Sequence, residues 1–199
     1  IVPNGDVTTG WSVLGGSNDA TCAAGTHCNY VDEGSTPVTT DYVSTGTALD
    51  DGIVEEFAMT TLTNVSSATS VTVYFYMQSA TNANGGTLDS VSINLRVNGT
   101  LQTATTVTPA FGAWGWHSAT FAGSWDQTAV DSIQLYARRN KLGRGKPSNQ
   151  DDDVRMASVD AKVPSTPTAC SYQPSYLWFA NPKASTEQSV AKTWGIYNY

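Results

Sequence analysis

Val71-Thr72-Val73-Tyr74-Phe75-Tyr76-Met77-Gln78 is the stretch on which the fold turns. Val71, Val73, Phe75 and Met77 alternate with Thr72, Tyr74, Tyr76 and Gln78, a period of two that assigns each set to one face of a β-strand. Val91, Ile93, Leu95 and Val97 repeat the pattern against Ser92, Asn94 and Arg96, and Asn98-Gly99 follows at once. That dipeptide signals a hairpin, because a type I′ turn needs positive φ at both central residues; the chain then continues through Leu101–Thr106. Working outward, strands are predicted at Trp11–Leu14, Asn29–Val31, Tyr42–Ser44, Val54–Leu62, Trp116–Ala122, Ser132–Ala137 and Val154–Val163. One helical turn is predicted at Asp126–Val130 with Asp126 as its cap. Short strands separated by turn-rich segments, with no long amphipathic helix, predict an all-β chain folded as an antiparallel, jelly-roll-like β-sandwich. Its span is 1–163. Pro164, Pro167 and Pro174 punctuate an extended, aromatic-rich C-terminal tail, 164–199, expected to pack on its own or a neighbouring subunit.

Composition agrees. The 199 residues are 40% hydrophobic and 14% charged, enough for a core and too few charges for a disordered polyelectrolyte. Ser and Thr number 47, and threonine suits a pleated surface; such a profile is typical of exported or surface proteins. No apolar run approaches the roughly 20 residues that span a bilayer. The chain opens Ile1-Val2-Pro3, as a mature product with its leader removed would.

Charge is distributed unevenly. Residues 1–137 carry twelve acidic groups and one basic, Arg96, for 1 − 12 = −11; the remainder carries nine basic and five acidic, 9 − 5 = +4, giving −7 in all. Five of the ten basic residues, Arg138, Arg139, Lys141, Arg144 and Lys146, lie within nine positions. An acidic body with one basic loop is expected to attract copies of itself, and to repel nucleic acid over most of its surface. The tail residues Tyr176, Trp178, Phe179 and Trp194 are too apolar to be left in water. Tail and loop together predict subunit contacts.

Cys22 and Cys28, with five residues between them, are expected to form a local disulfide and so to place the protein in an oxidising compartment. A metal site built with His27 is the alternative, with few soft ligands nearby. Cys170 is left over.

The order of motifs has a likeness of its own. It is carried by Pro3 and Asp6 before Gly10-Trp11, then Tyr30-Val31-Asp32-Glu33, Asp41-Tyr42-Val43-Ser44-Thr45, Phe57, Leu62, the Val71–Met77 strand, Gly115-Trp116, Phe121, Trp125 and Ile133-Gln134-Leu135. Over about residues 1–162 this resembles the jelly-roll β-sandwich modules of phage virion proteins and bacterial surface proteins. That family has no fixed catalytic set, so the resemblance implies a structural or adhesive role in an extracellular, cell-surface or virion setting.

Chemistry-bearing motifs are sparse. His27 and His117 are the only histidines, and no Gly-x-Ser-x-Gly, His-Glu-x-x-His or phosphate-cradling loop occurs. The expectation is a non-enzyme. Trp114 and Trp116, two apart, share a strand face; they either stack on sugar rings with Trp11, Tyr74 and Tyr76, or are core or sheet-cover residues, as large aromatics commonly are. Asp50, Asp51 and Glu55 could hold a structural calcium, although solvated acidic turns read the same way; no other cofactor is expected. Asn64-Val65-Ser66 and Asn98-Gly99-Thr100 fit the N-glycosylation pattern. The leading expectation is a self-assembling structural subunit forming a homo-polymer, with a carbohydrate-binding or adhesive module as the alternative.

Overall fold

The computed structural model describes residues 1–14, 22–23, 26–46, 51–80, 88–141 and 153–167. The chain divides into two units, Ile1–Ala169 and Cys170–Tyr199, and the first contains everything described here. Its elements in chain order are β1 (Pro3–Thr9), β2 (Ser12–Leu14), a 3₁₀ turn (His27–Tyr30), β3 (Tyr42–Ser44), β4 (Val54–Met59), β5 (Val65–Ser79), β6 (Ser90–Val97), β7 (Thr100–Leu101), β8 (Thr105–Val107), β9 (Gly115–Trp125), α1 (Gln127–Asp131), β10 (Gln134–Asn140), β11 (Val154–Lys162) and β12 (Ser165–Pro167).

These strands form two antiparallel sheets. The first runs β1-β4-β10-β6-β7, with β8 also on β6; the second runs β12-β5-β11-β3-β2, with β9 on the other side of β5. The inward sets are those the alternation assigned. Val71, Val73, Phe75 and Met77 of β5 meet Val91, Ile93, Leu95 and Val97 of β6 in one core, joined by Phe57, Phe121, Ile133, Leu135, Met156 and Val159. Each such side chain contributes roughly 1.5–3 kcal/mol on leaving water. The chain is therefore an antiparallel β-sandwich.

Several boundaries differ from expectation for physical reasons. β5 begins at Val65, six residues early, because its first turn of chain pairs with β12 rather than β11. β12 itself carries the second sheet to Pro167, past position 163. Residues 27–30 form a 3₁₀ turn, not a strand: the Asp6 carboxylate accepts from the His27 and Cys28 amides at 2.9 and 2.6 Å and curls the chain about itself. The Asn98-Gly99 turn has φ of 48° and 75°, both positive as a type I′ hairpin requires. Asp126 caps α1, its Oδ1 accepting from Ala129 N at 2.9 Å.

Gly10 is the tight point of the first sheet. Its N–H donates to Val54 O at 2.9 Å, and a Cβ there would collide with the Val54 backbone. The next residue, Trp11, is buried, its amide held by the Glu55 carboxylate at 2.9 Å.

Candidate functional site

The outer face of the second sheet presents a row of aromatic rings. Tyr74 and Tyr76 occupy outward positions of β5, and the register pairs Tyr76 with Trp116 on the edge strand β9. The Trp116 ring lies 5.0 Å from Tyr76 and 6.5 Å, edge-on, from Tyr74. Trp114, just before β9, stacks on Tyr76 at 5.5 Å with planes 10° apart and reaches Tyr42 of β3 at 6.1 Å. Trp114 and Trp116 thus share one face, and neither joins the core; Trp116 is 42% exposed. Such ring pairs are worth about 0.5–1.5 kcal/mol beyond burial, so the row is a preformed platform rather than loose side chains.

Charged groups flank it. The Arg155 guanidinium lies over Tyr42 at 4.8 Å while its Nε holds Asp153 at 2.7 Å. The Lys162 ammonium lies over Tyr74 at 4.9 Å. Asp160 and Lys162 on β11, Tyr74, Trp116 and Ser35 together line a depression of about 370 Å³. Ser35 reaches it from a turn fastened to β11 by Ser158 Oγ, which donates to Gly34 O at 2.6 Å. Burial pushes the Asp160 carboxyl above its usual range, opposed by the terminal ammonium of Ile1 and by Lys162.

The remaining candidate residues fall elsewhere. Cys22 and Cys28 are joined in a disulfide, with Cα atoms 5.9 Å apart. Glu55 is not on the surface: it is in phase with Phe57 and Met59 on the inward face of β4 and is 0% exposed. The His27 ring meets it at 2.8 Å, and burial drives the Glu55 carboxyl up to about 8 while pulling His27 down from its ordinary value. The carboxyl of this pair is buried, whereas the His27 side chain is partly exposed. Asp51 instead accepts from the Lys141 amide at 2.9 Å, and Asp50 lies outside the described residues. Among the described residues no His, Cys, Asp and Glu are gathered in threes as a metal ion would need.

The basic cluster is also divided. Arg139 continues the inward phase of Leu135 and Ala137, is 0% exposed, and binds Asp89 through Nε at 2.9 Å and Nη2 at 2.6 Å. It cannot contribute to an outer basic surface, whereas Arg138, in the opposite phase, is exposed. Asp153 is engaged by Arg155 and Ser44. Arg144, Lys146, Tyr176, Trp178, Phe179 and Trp194 lie outside the described residues. Asn64 and Asn98 are both exposed in turns with positive φ. His117 sits on the inward phase of β9, opposite Phe75, and burial lowers its pKa.

Asp160 and Lys162 were not singled out by sequence reasoning, nor was Tyr42. Their signal is weak: Asp160 and Lys162 are two apart on a predicted strand, and only the pairing of β11 with β5 brings them beside Tyr74.

No protein-family profile matches the sequence, and no curated protein matches it. Similar solved structures include a xylan-binding module CBM15, at 12% identity and a TM-score of 0.43, covering 80% of this chain and 95% of that one. A second is a "Family 16 Carbohydrate Binding Module-2", at 10% identity and 0.39, covering 79% and 89%. A third, a family 35 carbohydrate-binding module from an environmental isolate, has 15% identity and 0.39, covering 82% and 94%.

Proposed function

We propose that this chain is a non-catalytic module that binds carbohydrate on the outer face of its second sheet. The observation that carries the reading is the aromatic row Trp116–Tyr76–Trp114–Tyr42, preformed by ring contacts and left open at Trp116. The C–H face of a pyranose ring is apolar and flat, and lies on an aromatic ring as another ring would. Its hydroxyls point outward, where Ser35, Asp160 and Lys162 stand. A mostly apolar depression with a few placed polar groups is what a small-ligand site needs. The disulfide suits a secreted setting, and among the described residues no helix is long and apolar enough to cross a membrane.

The polymer-forming reading has less to stand on. It drew on five basic residues, of which Arg139 is internal, and on tail aromatics outside the described residues. The carbohydrate reading rests on side chains within the described residues.

The test is calorimetry and affinity electrophoresis of the full chain against soluble polysaccharides. Trp116→Ala is expected to cost about 2 kcal/mol, roughly thirtyfold in Kd, with the melting temperature little changed. A chain that binds no polysaccharide, or a Trp116→Ala variant that binds as tightly as the parent, removes this reading.

A further inference from the structure

Asp160 and Lys162 are two apart on β11 and so project from the same face, at the corner formed by Tyr74 and Trp116. We infer that this pair reads a vicinal diol on a neutral sugar ring seated on Trp116, the Asp160 carboxylate accepting from one hydroxyl and the Lys162 ammonium donating to its neighbour. The inference rests on the carbohydrate-binding reading and deepens it by naming the ligand class: uncharged polysaccharide whose units present adjacent free hydroxyls at this corner.

An aromatic face alone cannot choose among sugars, because every pyranose offers an apolar face. Orientation has to come from the polar groups beside it, and charge-assisted hydrogen bonds are roughly twice as strong as neutral ones. Asp160 and Lys162 are the charged residues lining the depression. Neighbouring hydroxyls, each both donor and acceptor, match an acceptor and a donor set side by side.

The carboxyl is also short of donors. Asp160 Oδ1 is shut off from solvent and has no hydrogen-bond partner, whereas an ionised carboxylate has room for about four. A hydroxyl delivered to the open side of such an under-solvated group gains more than one delivered to a fully hydrated carboxylate. Lys162, fixed over the Tyr74 face at 4.9 Å, keeps the donor in position without filling the depression.

Charge sign selects against acidic sugars. A uronate or sulfate at this corner would face Asp160, on a chain with net charge −7. Acidity of the medium matters as well, since a protonated Asp160 loses its role as acceptor. The charged groups acting on it are the Ile1 ammonium from the segment before β1 and Lys162 on its own strand, and Tyr74 is its register partner on β5. Burial outweighs the two cations, so binding is expected to weaken as pH falls through a value above 3.8.

The experiment titrates the full chain with soluble neutral glucan, xylan, mannan and galactan, and with polygalacturonate, between pH 4 and pH 7. Expected are binding to at least one neutral polymer and none to polygalacturonate. Asp160→Asn should lose at least tenfold in affinity and with it the decline at acid pH. Lys162→Met, which keeps the apolar stem over Tyr74 at an exposed position, should lose about fivefold. If the parent binds a neutral polymer and needs Trp116, yet Asp160→Asn keeps both its affinity and the acid decline, the inference is overturned while the functional reading stands. Preferred binding of polygalacturonate that Lys162→Met abolishes overturns the neutral class. Binding to none of the polymers removes the functional reading itself.

Discussion

Glu55 and Arg139 are ionisable residues that strand alternation turns inward, and each meets an ionisable side-chain partner there. For Glu55 the partner is His27, and the energetics of the pair can be read in pH. The folded-state pKa of Glu55 is about 8 against an ordinary 4.5, so its contribution to stability is whole below 4.5 and is lost as pH rises toward 8. His27 is shifted downward from 6.5, so its contribution is whole above 6.5 and is lost as pH falls. The two oppose each other between these values; above 6.5 only Glu55 of the pair acts. The Glu55 share of stability in urea is therefore expected to fall between pH 6.5 and 8, by on the order of 2 kcal/mol, opposed by the Ile1 ammonium, which burial shifts down from 8.0; Glu55→Gln should remove the Glu55 share. For Arg139 the partner is Asp89. Asp89→Ala would take a carboxylate away from a fully buried guanidinium, a loss of about 3–5 kcal/mol measurable by denaturant unfolding. Gly10→Ala is expected to destabilise by about 1–3 kcal/mol, because the Val54 backbone it would strike cannot rotate aside.

Among the elements, β5 organises the second sheet: β9 lies along one side, β11 and β12 along the other. Its central residues 71–78 were legible in sequence because inward and outward positions differ in polarity at every step. β1 was not. Pro3–Thr9 has one mid-strand aliphatic residue, Val7, which is 44% exposed, and its pairing with β4 slips register twice; an edge strand with such irregularities leaves no clean alternation. The turn at 27–30 escaped because its cause, the Asp6 carboxylate, lies twenty residues away in sequence. At the candidate site, the shared face of Trp114 and Trp116 follows from their spacing, whereas the approach of Asp160, Lys162 and Tyr42 depends on which strands are neighbours. Arg139 shows a legible signal overridden: its phase with Leu135 and Ala137 marked it as internal, but its basic neighbours suggested a surface. The short segment carrying the disulfide also carries His27, so covalent and polar restraints act together. Replacing both Cys22 and Cys28 by Ser should cost about 2 kcal/mol by the loop-entropy account, measurable by thermal melting.

The whole sandwich presents two different outer faces. On the first sheet Arg96 binds Glu56 at 2.6 Å, a charged surface with its own internal partners; on the second, rings dominate. Ligand binding carried by rings and short-range hydrogen bonds is expected to change less than twofold in Kd between 0.05 and 0.5 M NaCl, since screening over about 4–14 Å mainly weakens long-range charge attraction. A tenfold loss across that range would assign the binding to electrostatics instead. The stacking of Trp114 on Tyr76, 5.5 Å apart and nearly parallel, has one more consequence. Rings held that rigidly in a chiral frame couple their electronic transitions, so the face should produce a near-ultraviolet circular dichroism band that Trp114→Phe diminishes. Trp11 and Trp125 are buried at 3% and 9% and shielded from an arriving ligand, whereas Trp116 is open to water. A guest settling on the row would shift the emission of Trp116 toward the blue, making the face an optical reporter of its own occupancy.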